Sequence, residues 1–171
     1  TITVGSAVAM TQDITVTGGA TTVTHDLVVD GTNLGGDDSL VGGAGADTIG
    51  GGAGADTITG GAGVDDLSGG DADDLFLVDA VADFAAGETV AGGAGTDTIR
   101  LNDAGTYGAT VLSATVTGVE NVTLNEDAAG FNLTFADGAY LGATNTTITV
   151  GSAVAMTQDI TVTGGATTVT H

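Results

Sequence analysis

Threonine alternates with isoleucine or valine over much of the chain. A period of two puts the aliphatic side chains on one face of an extended segment, which is typical of short β-strands. Glycine, asparagine and aspartate separate these segments, as expected for turns. The pattern occurs in TITV at 1–4, DITVTGG at 13–19, TTVTHDLVV at 21–29, ATVTGVENVTL at 114–124 and FNLTF at 131–135. Helical periodicity is nearly absent, and its one candidate, DAVADFAAGE at 79–88, predicts a short helix or a loop. The chain is therefore expected to be all-β.

A second pattern, with a period of nine residues, occupies the middle of the chain. Five copies follow one another: NLGGDDSLV at 33–41, GGAGADTIG at 42–50, GGAGADTIT at 51–59, GGAGVDDLS at 60–68 and GGDADDLFL at 69–77. A sixth copy, GGAGTDTIR at 92–100, is out of phase, because 92 minus 42 is 50 and 50 is not a multiple of nine. We expect this sixth copy to stand alone within a connector.

The charge balance makes bound cations the obvious means of neutralising the chain. The chain has one Lys or Arg against 22 Asp and Glu, giving a formal net charge of −21, yet 42% of its residues are apolar. A packed structure is possible only if the carboxylates are neutralised. Nucleic acid and anionic membrane surfaces are poor partners, since both need basic patches. The absence of cysteine excludes disulfides and thiol chemistry, and no apolar run approaches the length of a membrane-spanning helix.

The nonapeptide G-G-x-G-x-D-x-U-x, where U is a large apolar residue, resembles the RTX (hemolysin-type calcium-binding) repeats of secreted proteins. These include bacterial S-layer proteins and giant adhesins. The resemblance implies a calcium-bound parallel β-roll over 33–77, which we expect to continue into a β-solenoid of the short Thr/Val/Ile strands. It also implies the metal ligands, which are Asp38, Asp47, Asp56, Asp65, Asp74 and Asp97 with Gly43, Gly45, Gly52, Gly54, Gly61 and Gly63.

The chemistry of the repeat agrees with this resemblance. Glycine tolerates a positive φ and lets backbone carbonyls crowd around an ion, and Ca²⁺ takes six to eight oxygen ligands. Two nonapeptides make one coil, so that each copy lies beneath the next but one. Such stacking places Asp38 beneath Asp56, Asp47 beneath Asp65, and Asp56 beneath Asp74. The apolar residue of each copy is expected to point inward, and these residues are Leu40, Ile49, Ile58, Leu67 and Phe76.

A longer repeat organises the whole chain. Residues 1–25 recur without a change at 147–171, an offset of 146 residues. We interpret this as one unit of a tandem array followed by the start of the next; the alternative is a boundary artefact in which the chain overlaps itself. The predicted division is solenoid strands at 1–32 (repeated at 147–171), the roll at 33–77, a connector at 78–110 and solenoid strands at 111–171.

These observations favour a calcium-stabilised extracellular structural repeat, such as an S-layer component, surface fibre or adhesin spacer. Calcium tenfold above a site's Kd stabilises the fold by about 1.4 kcal/mol, so the chain is expected to fold only after secretion, which the resemblance implies is of type I. We expect self-association or neighbouring units as partners, with a cell-surface polysaccharide as a further candidate. Two alternatives are a Thr-rich face that binds ice or carbohydrate and an accessory module of a secreted enzyme. His25 lies in a strand pattern without a catalytic motif, so no enzymatic activity is expected.

Overall fold

The computed structural model describes residues 2–4, 12–18, 25–84, 86–103, 106–107, 116–124, 132–134, 142–150, 161–163 and 168–170. Its strands are β1 (Ile2–Val4), β2 (Thr15–Thr17), β3 (Leu27–Val29), β4 (Ser39–Ala44), β5 (Thr48–Ala53), β6 (Thr57–Ala62), β7 (Asp66–Asp71), β8 (Leu75–Val78), β9 (Thr89–Ala94), β10 (Thr98–Leu101), β11 (Thr106–Tyr107), β12 (Val116–Thr117), β13 (Val119–Leu124), β14 (Asn132–Thr134), β15 (Gly142–Val150), β16 (Thr161–Thr163) and β17 (Thr168–Thr170). Two short 3₁₀ helices, Gly31–Asn33 and Val81–Asp83, interrupt the strands.

The strands of the middle of the chain alternate between two parallel sheets. One sheet has the order β1-β3-β5-β7-β9-β12, and the other has the order β17-β15-β13-β10-β8-β6-β4-β2. A smaller sheet has the order β11-β14-β16. Each coil of the roll therefore contributes one strand to each large sheet, which is the architecture of a parallel β-roll.

The register confirms that two nonapeptides make one coil. Leu40 lies opposite Ile58 where β4 pairs with β6, and Ile49 lies opposite Leu67 where β5 pairs with β7. Both pairs are 18 residues apart, which is twice the period of nine. Each copy therefore stacks on the next but one, as the sequence predicts.

The core lies between the two large sheets. The predicted inward residues Leu40, Ile49, Ile58, Leu67 and Phe76 are all buried, and they join one cluster with the aliphatic residues of the flanking strands. Full burial of one such side chain stabilises a fold by roughly 1.5–3 kcal/mol. The apolar stack thus holds successive coils together along the axis of the roll.

The copy at 92–100 does not stand alone, so this expectation was wrong. Leu67 lies opposite Val90 where β7 pairs with β9, and Phe76 lies opposite Ile99 where β8 pairs with β10. Both offsets are 23 residues, five more than the 18 of a regular coil. The additional residues lie in the predicted helix or loop at 79–88, where the structure has the 3₁₀ helix Val81–Asp83 and a buried Phe84. The out-of-phase spacing therefore reflects an insertion within a continuous roll.

The Thr-rich segments continue the roll at both of its ends. Strand β2 pairs with β4, β3 pairs with β5, and β13 pairs with β10, all in parallel. These pairings confirm a roll that extends into solenoid coils. Parts of the predicted strands, among them residues 21–24, 114–115, 131 and 135, lie outside the described residues.

Candidate metal centre

Glycines shape the turns that precede the aspartates. Gly43 and Gly45 have φ values of 110° and 144°, a region that a residue with a Cβ rarely adopts. The other predicted glycines repeat this geometry, with φ of 111° at Gly52, 125° at Gly54, 100° at Gly61 and 148° at Gly63. Each turn then delivers its aspartate at the start of the next strand. All six predicted glycines therefore allow the backbone conformation that the turns need.

The predicted aspartates form two buried rows along the roll. In the first row, the backbone N–H of Asp38 donates to Oδ1 of Asp56 at 2.8 Å, and that of Asp56 donates to Oδ1 of Asp74 at 2.9 Å. In the second row, the N–H of Asp47 donates to Oδ1 of Asp65 at 2.8 Å. The structure thus brings together all three pairs of aspartates that the coil stacking predicts.

Asp97 belongs to the first row. Oδ1 of Asp97 accepts a hydrogen bond from the N–H of Asp74 at 2.9 Å, and the Asp97 side chain is fully buried. Although the copy at 92–100 was expected to stand alone, its Asp97 stacks on Asp74, because the five additional residues leave the register of the strands intact. Asp97 therefore has the same backbone contact as Asp56 and Asp74.

The second oxygen of each aspartate has no hydrogen-bond partner. These buried oxygens are Oδ2 of Asp38, Asp47, Asp56, Asp65, Asp74 and Asp97, together with Oε1 of Glu88. A buried carboxylate oxygen without a donor is costly, since it has lost its water and gained nothing in exchange. The repetition of this arrangement along both rows fits oxygens that bind a cation.

Carbonyl oxygens converge on the same places. A Cβ added to Gly51 would overlap Oδ2 of Asp56 and would lie 2.7 Å from the carbonyl oxygen of Gly69 in the next coil. A Cβ on Gly69 would likewise overlap Oδ2 of Asp74 and lie 2.6 Å from the carbonyl oxygen of Gly92. Each such space is thus lined by a carboxylate oxygen and a carbonyl oxygen, with no donor between them. We call this space a cradle.

The carbonyls of the cradles belong to the first glycine of each copy. The predicted ligand set names only the second and third glycines, and therefore missed Gly60, Gly69 and Gly92. Their role follows from packing: only a residue without a Cβ leaves room for the carboxylate and the carbonyl at this position. The first glycine, which is present in five of the six copies, was the available signal.

Burial raises the pKa of several carboxyl groups in the two rows. Loss of solvent raises the pKa of Asp56 and of Asp65 to about 6 and that of Asp74 to about 7, with smaller contributions from neighbouring aspartates. Burial also raises the pKa of Asp47 and Asp97. Hydrogen bonds from the backbone N–H groups oppose these shifts only in part. Near neutral pH, these carboxyls therefore bind protons more readily than exposed aspartates do.

The donor set fits a hard cation. In the described part of the chain, no three side chains of Asp, Glu, His or Cys converge on one point, so backbone carbonyls must complete the coordination. The cradles supply such carbonyls beside each carboxylate. Ca²⁺ accepts this mixture in flexible geometry, whereas zinc and other softer metals favour nitrogen or sulfur ligands. The residues present thus fit calcium.

A different set of aspartates caps the exposed turns. Asp37 Oδ1 accepts a hydrogen bond from the N–H of Ala55 at 2.9 Å, and Asp73 Oδ1 accepts one from the N–H of Thr96 at 2.7 Å. Both aspartates are exposed to solvent. They stabilise the path of the chain outside the buried rows.

Sequence reasoning missed two glutamates that extend the rows. Oε2 of Glu88 accepts from the N–H of Asp65 at 3.1 Å, and Oε2 of Glu120 accepts from the N–H of Asp97 at 2.7 Å. Each occupies the position of the motif's aspartate. The signal was present in GETV at 87–90 and VENV at 119–122, where the acid precedes an aliphatic residue by two positions, as in D-x-U.

Comparison with known families decides what the rows are. The family model of the RTX calcium-binding nonapeptide repeat, in four copies, matches residues 34–67, 49–76 and 84–103. These segments are RTX calcium-binding repeats. The RTX repeats bind calcium, and the buried Asp rows with their glycine carbonyls are the residues in this chain that would hold it. Neither a curated protein nor a solved structure matches the chain. Among the described residues, no helix has the length and apolar character needed to cross a membrane.

Proposed function

We propose that the chain is a calcium-stabilised structural module of an extracellular array, such as an S-layer, a surface fibre or an adhesin spacer. The RTX repeats supply the dependence on calcium. The 146-residue repeat would supply the means of extension, because residues 147–171 begin the same sequence again.

One pairing carries this proposal. Strand β15 includes the first residues of the second copy of the 25-residue repeat, and it pairs in parallel with β13. Val122 lies opposite Ile148, and Leu124 lies opposite Val150. Residues 147–150, which repeat residues 1–4, thus add to the eight-stranded sheet, and the proposed end-to-end growth of a solenoid needs an addition of this kind.

The repeated segment can cover more than one edge. Ile2–Val4 pairs with β3 at an edge of the six-stranded sheet, whereas the identical Ile148–Val150 lies in the eight-stranded sheet. Its alternating sequence suits either edge. A period of two determines which side chains face the core, but it does not determine which strand the segment pairs with. Uncovered edges associate, so neighbouring units or second copies of the chain are the proposed partners.

The charge of the chain suits folding outside the cell. The formal net charge of −21 opposes compaction until cations bind, and calcium is abundant in extracellular fluid but scarce in cytosol. We therefore propose secretion in an unfolded state by a type I pathway. The proposal includes a cell-surface polysaccharide as a further candidate partner and assigns the chain no binding to nucleic acid, no membrane insertion and no catalytic activity.

Small-angle scattering on one, two and four 146-residue units in millimolar calcium tests this function. A continuous solenoid is expected to lengthen in proportion to the number of units. Length that grows as the square root of unit number would indicate folded units on flexible linkers and would contradict the proposal.

A variant truncated after Ala143 tests the role of the repeated segment. Removal of residues 144–171 strips the eight-stranded sheet of β17 and most of β15. We expect lower stability, or more association between chains, than for the 171-residue form. Equal stability together with an unchanged monomeric state would argue against edge covering.

A further inference from the structure

The second row of acids continues past the last regular nonapeptide. Asp66 of β7 lies opposite Thr89 of β9, so Asp65 lies opposite Glu88 in the next coil. Glu88 therefore takes the place of the motif's aspartate, although the residues before it, DFAAG at 83–87, lack the motif's glycine pattern. The five-residue insertion thus precedes the last acid of the second row.

The state of the Glu88 carboxylate matches that of the aspartates. Glu88 is 1% exposed, and its Oε2 accepts the N–H of Asp65 at 3.1 Å. Its Oε1 is buried and has no hydrogen-bond partner. A glutamate that served only to satisfy the Asp65 N–H would not need a second, unpartnered oxygen in the interior.

Negative charge surrounds the Glu88 carboxylate. Beside Asp65, a Cβ on Gly60 would meet only Asp65 atoms as its three nearest neighbours, whereas Gly51 and Gly69 meet a glycine carbonyl of the next coil. The strand before Gly60 keeps the regular offset of 18, because Ile58 lies opposite Phe76, so the five additional residues fall between Phe76 and Glu88. Repulsion from Asp65, Asp47 and Asp83 adds to burial in raising the pKa of Glu88 to about 7.

No side-chain cation is available to compensate these acids. The chain has a single basic residue besides histidine, Arg100, and its Nε donates to Oδ1 of Asn102 at 3.2 Å. Neutralisation therefore falls to a bound proton or to a metal ion, and a metal ion is the one of the two that the oxygen-rich rows are built to hold. The same oxygen chemistry as in the repeats selects calcium.

We propose that Glu88 is a calcium ligand, which with Asp65 forms an additional site at the end of the second row. The site differs from those of the nonapeptides because Glu88 replaces the motif's aspartate and the preceding residues, DFAAG at 83–87, replace the Gly-rich turn. The inference depends on calcium binding by the RTX repeats and is independent of whether the units form an array.

Two substitutions separate a ligand from a packing residue. Glu88→Gln keeps an oxygen that can accept the Asp65 N–H but removes the charge, whereas Glu88→Asp keeps the charge on a shorter side chain. Asp66→Asn is the control, because it makes the same change of charge at an exposed position one residue from Asp65. The number of calcium ions bound to each full-length variant is measured by equilibrium dialysis, with folding followed by circular dichroism.

We expect Glu88→Gln to bind one calcium ion fewer than the unsubstituted chain, and Glu88→Asp and Asp66→Asn to keep the full number. The proposal would also be supported if Glu88→Asp folds at saturating calcium and Glu88→Gln does not. Of the two variants, only Glu88→Asp keeps the negative charge. An unchanged number in Glu88→Gln would overturn it. Equal losses of ions or of folding in both Glu88 variants would overturn it too, because shape alone would then explain the residue.

Discussion

Replacing one buried aspartate by asparagine is expected to have opposite effects with and without calcium. Oδ1 of Asp56 accepts the N–H of Asp38, while Oδ2 faces the carbonyl of Gly69 across the cradle. In Asp56→Asn, the amide oxygen can keep the first contact. The new NH₂ group can donate to the carbonyl, so that the cradle no longer needs a cation.

The magnitudes follow from these contacts. The new hydrogen bond contributes about 0.5–1.5 kcal/mol to the metal-free fold, besides the gain from removing a buried charge. Loss of a site at a calcium concentration 100 times its Kd costs about 2.7 kcal/mol. The variant should therefore be less stable than the unsubstituted chain by roughly 1–2 kcal/mol in excess calcium and more stable without calcium.

The assay is urea unfolding over a range of calcium concentrations, with an excluded osmolyte added where the metal-free chain is unfolded. Each bound ion adds about 1.4 kcal/mol of stability per tenfold rise in calcium, so the variant's slope should be smaller by that amount and the two lines should cross. Asp66→Asn, which removes an exposed charge, should keep the original slope. Parallel lines for Asp56→Asn would refute the assignment of Asp56 as a ligand.

Three further outcomes are expected. Asp97→Asn should reduce the calcium slope as much as Asp56→Asn, because both side chains hold the same place in one row; calorimetry that finds no loss of an ion would contradict this. Gly51→Ala should abolish one site in a calcium titration, because its Cβ would overlap the carboxylate, whereas Gly50→Ala, whose nearest neighbouring atom would be 3.1 Å away, should bind the full number of ions. Acidification from pH 8 to 5 should stabilise the metal-free roll while weakening calcium binding. The reason is that carboxyls such as Asp74, with a pKa of about 7 in the fold and about 3.9 when unfolded, bind more protons in the folded state within this window. Calcium binding that releases no protons at pH 6.5 would contradict this last prediction.

The regular part of the roll was predictable from the sequence. The period of nine fixes which side chains point inward and which aspartates stack, because every copy has the same turn geometry. Leu40 and Phe76 are buried, and Asp38 lies against Asp56, as the spacing requires.

The insertion was not predictable from spacing alone. Five additional residues break the period, and the sequence does not reveal whether the roll ends there or tolerates a loop. The apolar residues on both sides decide the outcome, because Val90 and Ile99 can bury themselves only by stacking on Leu67 and Phe76. A parallel sheet thus tolerates additional residues in its turns that the nine-residue motif does not predict.

The glutamates were missed because the motif specifies aspartate. A longer acid reaches the same N–H from a different backbone, as Glu88 does from a turn that follows a 3₁₀ helix. The pairing of the repeated segment was also beyond the sequence, since its alternation of Thr with Ile or Val suits several strand edges. Tertiary contacts resolve both questions.

Circular dichroism of the 171-residue chain in EDTA, in calcium and in magnesium tests the central claim most directly. Within the described residues, the second oxygens of the buried carboxylates have no hydrogen-bond partner, and the sequence offers a single Lys or Arg, so the chain is expected to be largely unfolded in EDTA and to gain β-structure on addition of calcium. Magnesium should restore little, because it demands a tight octahedral geometry and sheds its water reluctantly. An identical β-spectrum in EDTA and in calcium would contradict a roll that depends on calcium to fold.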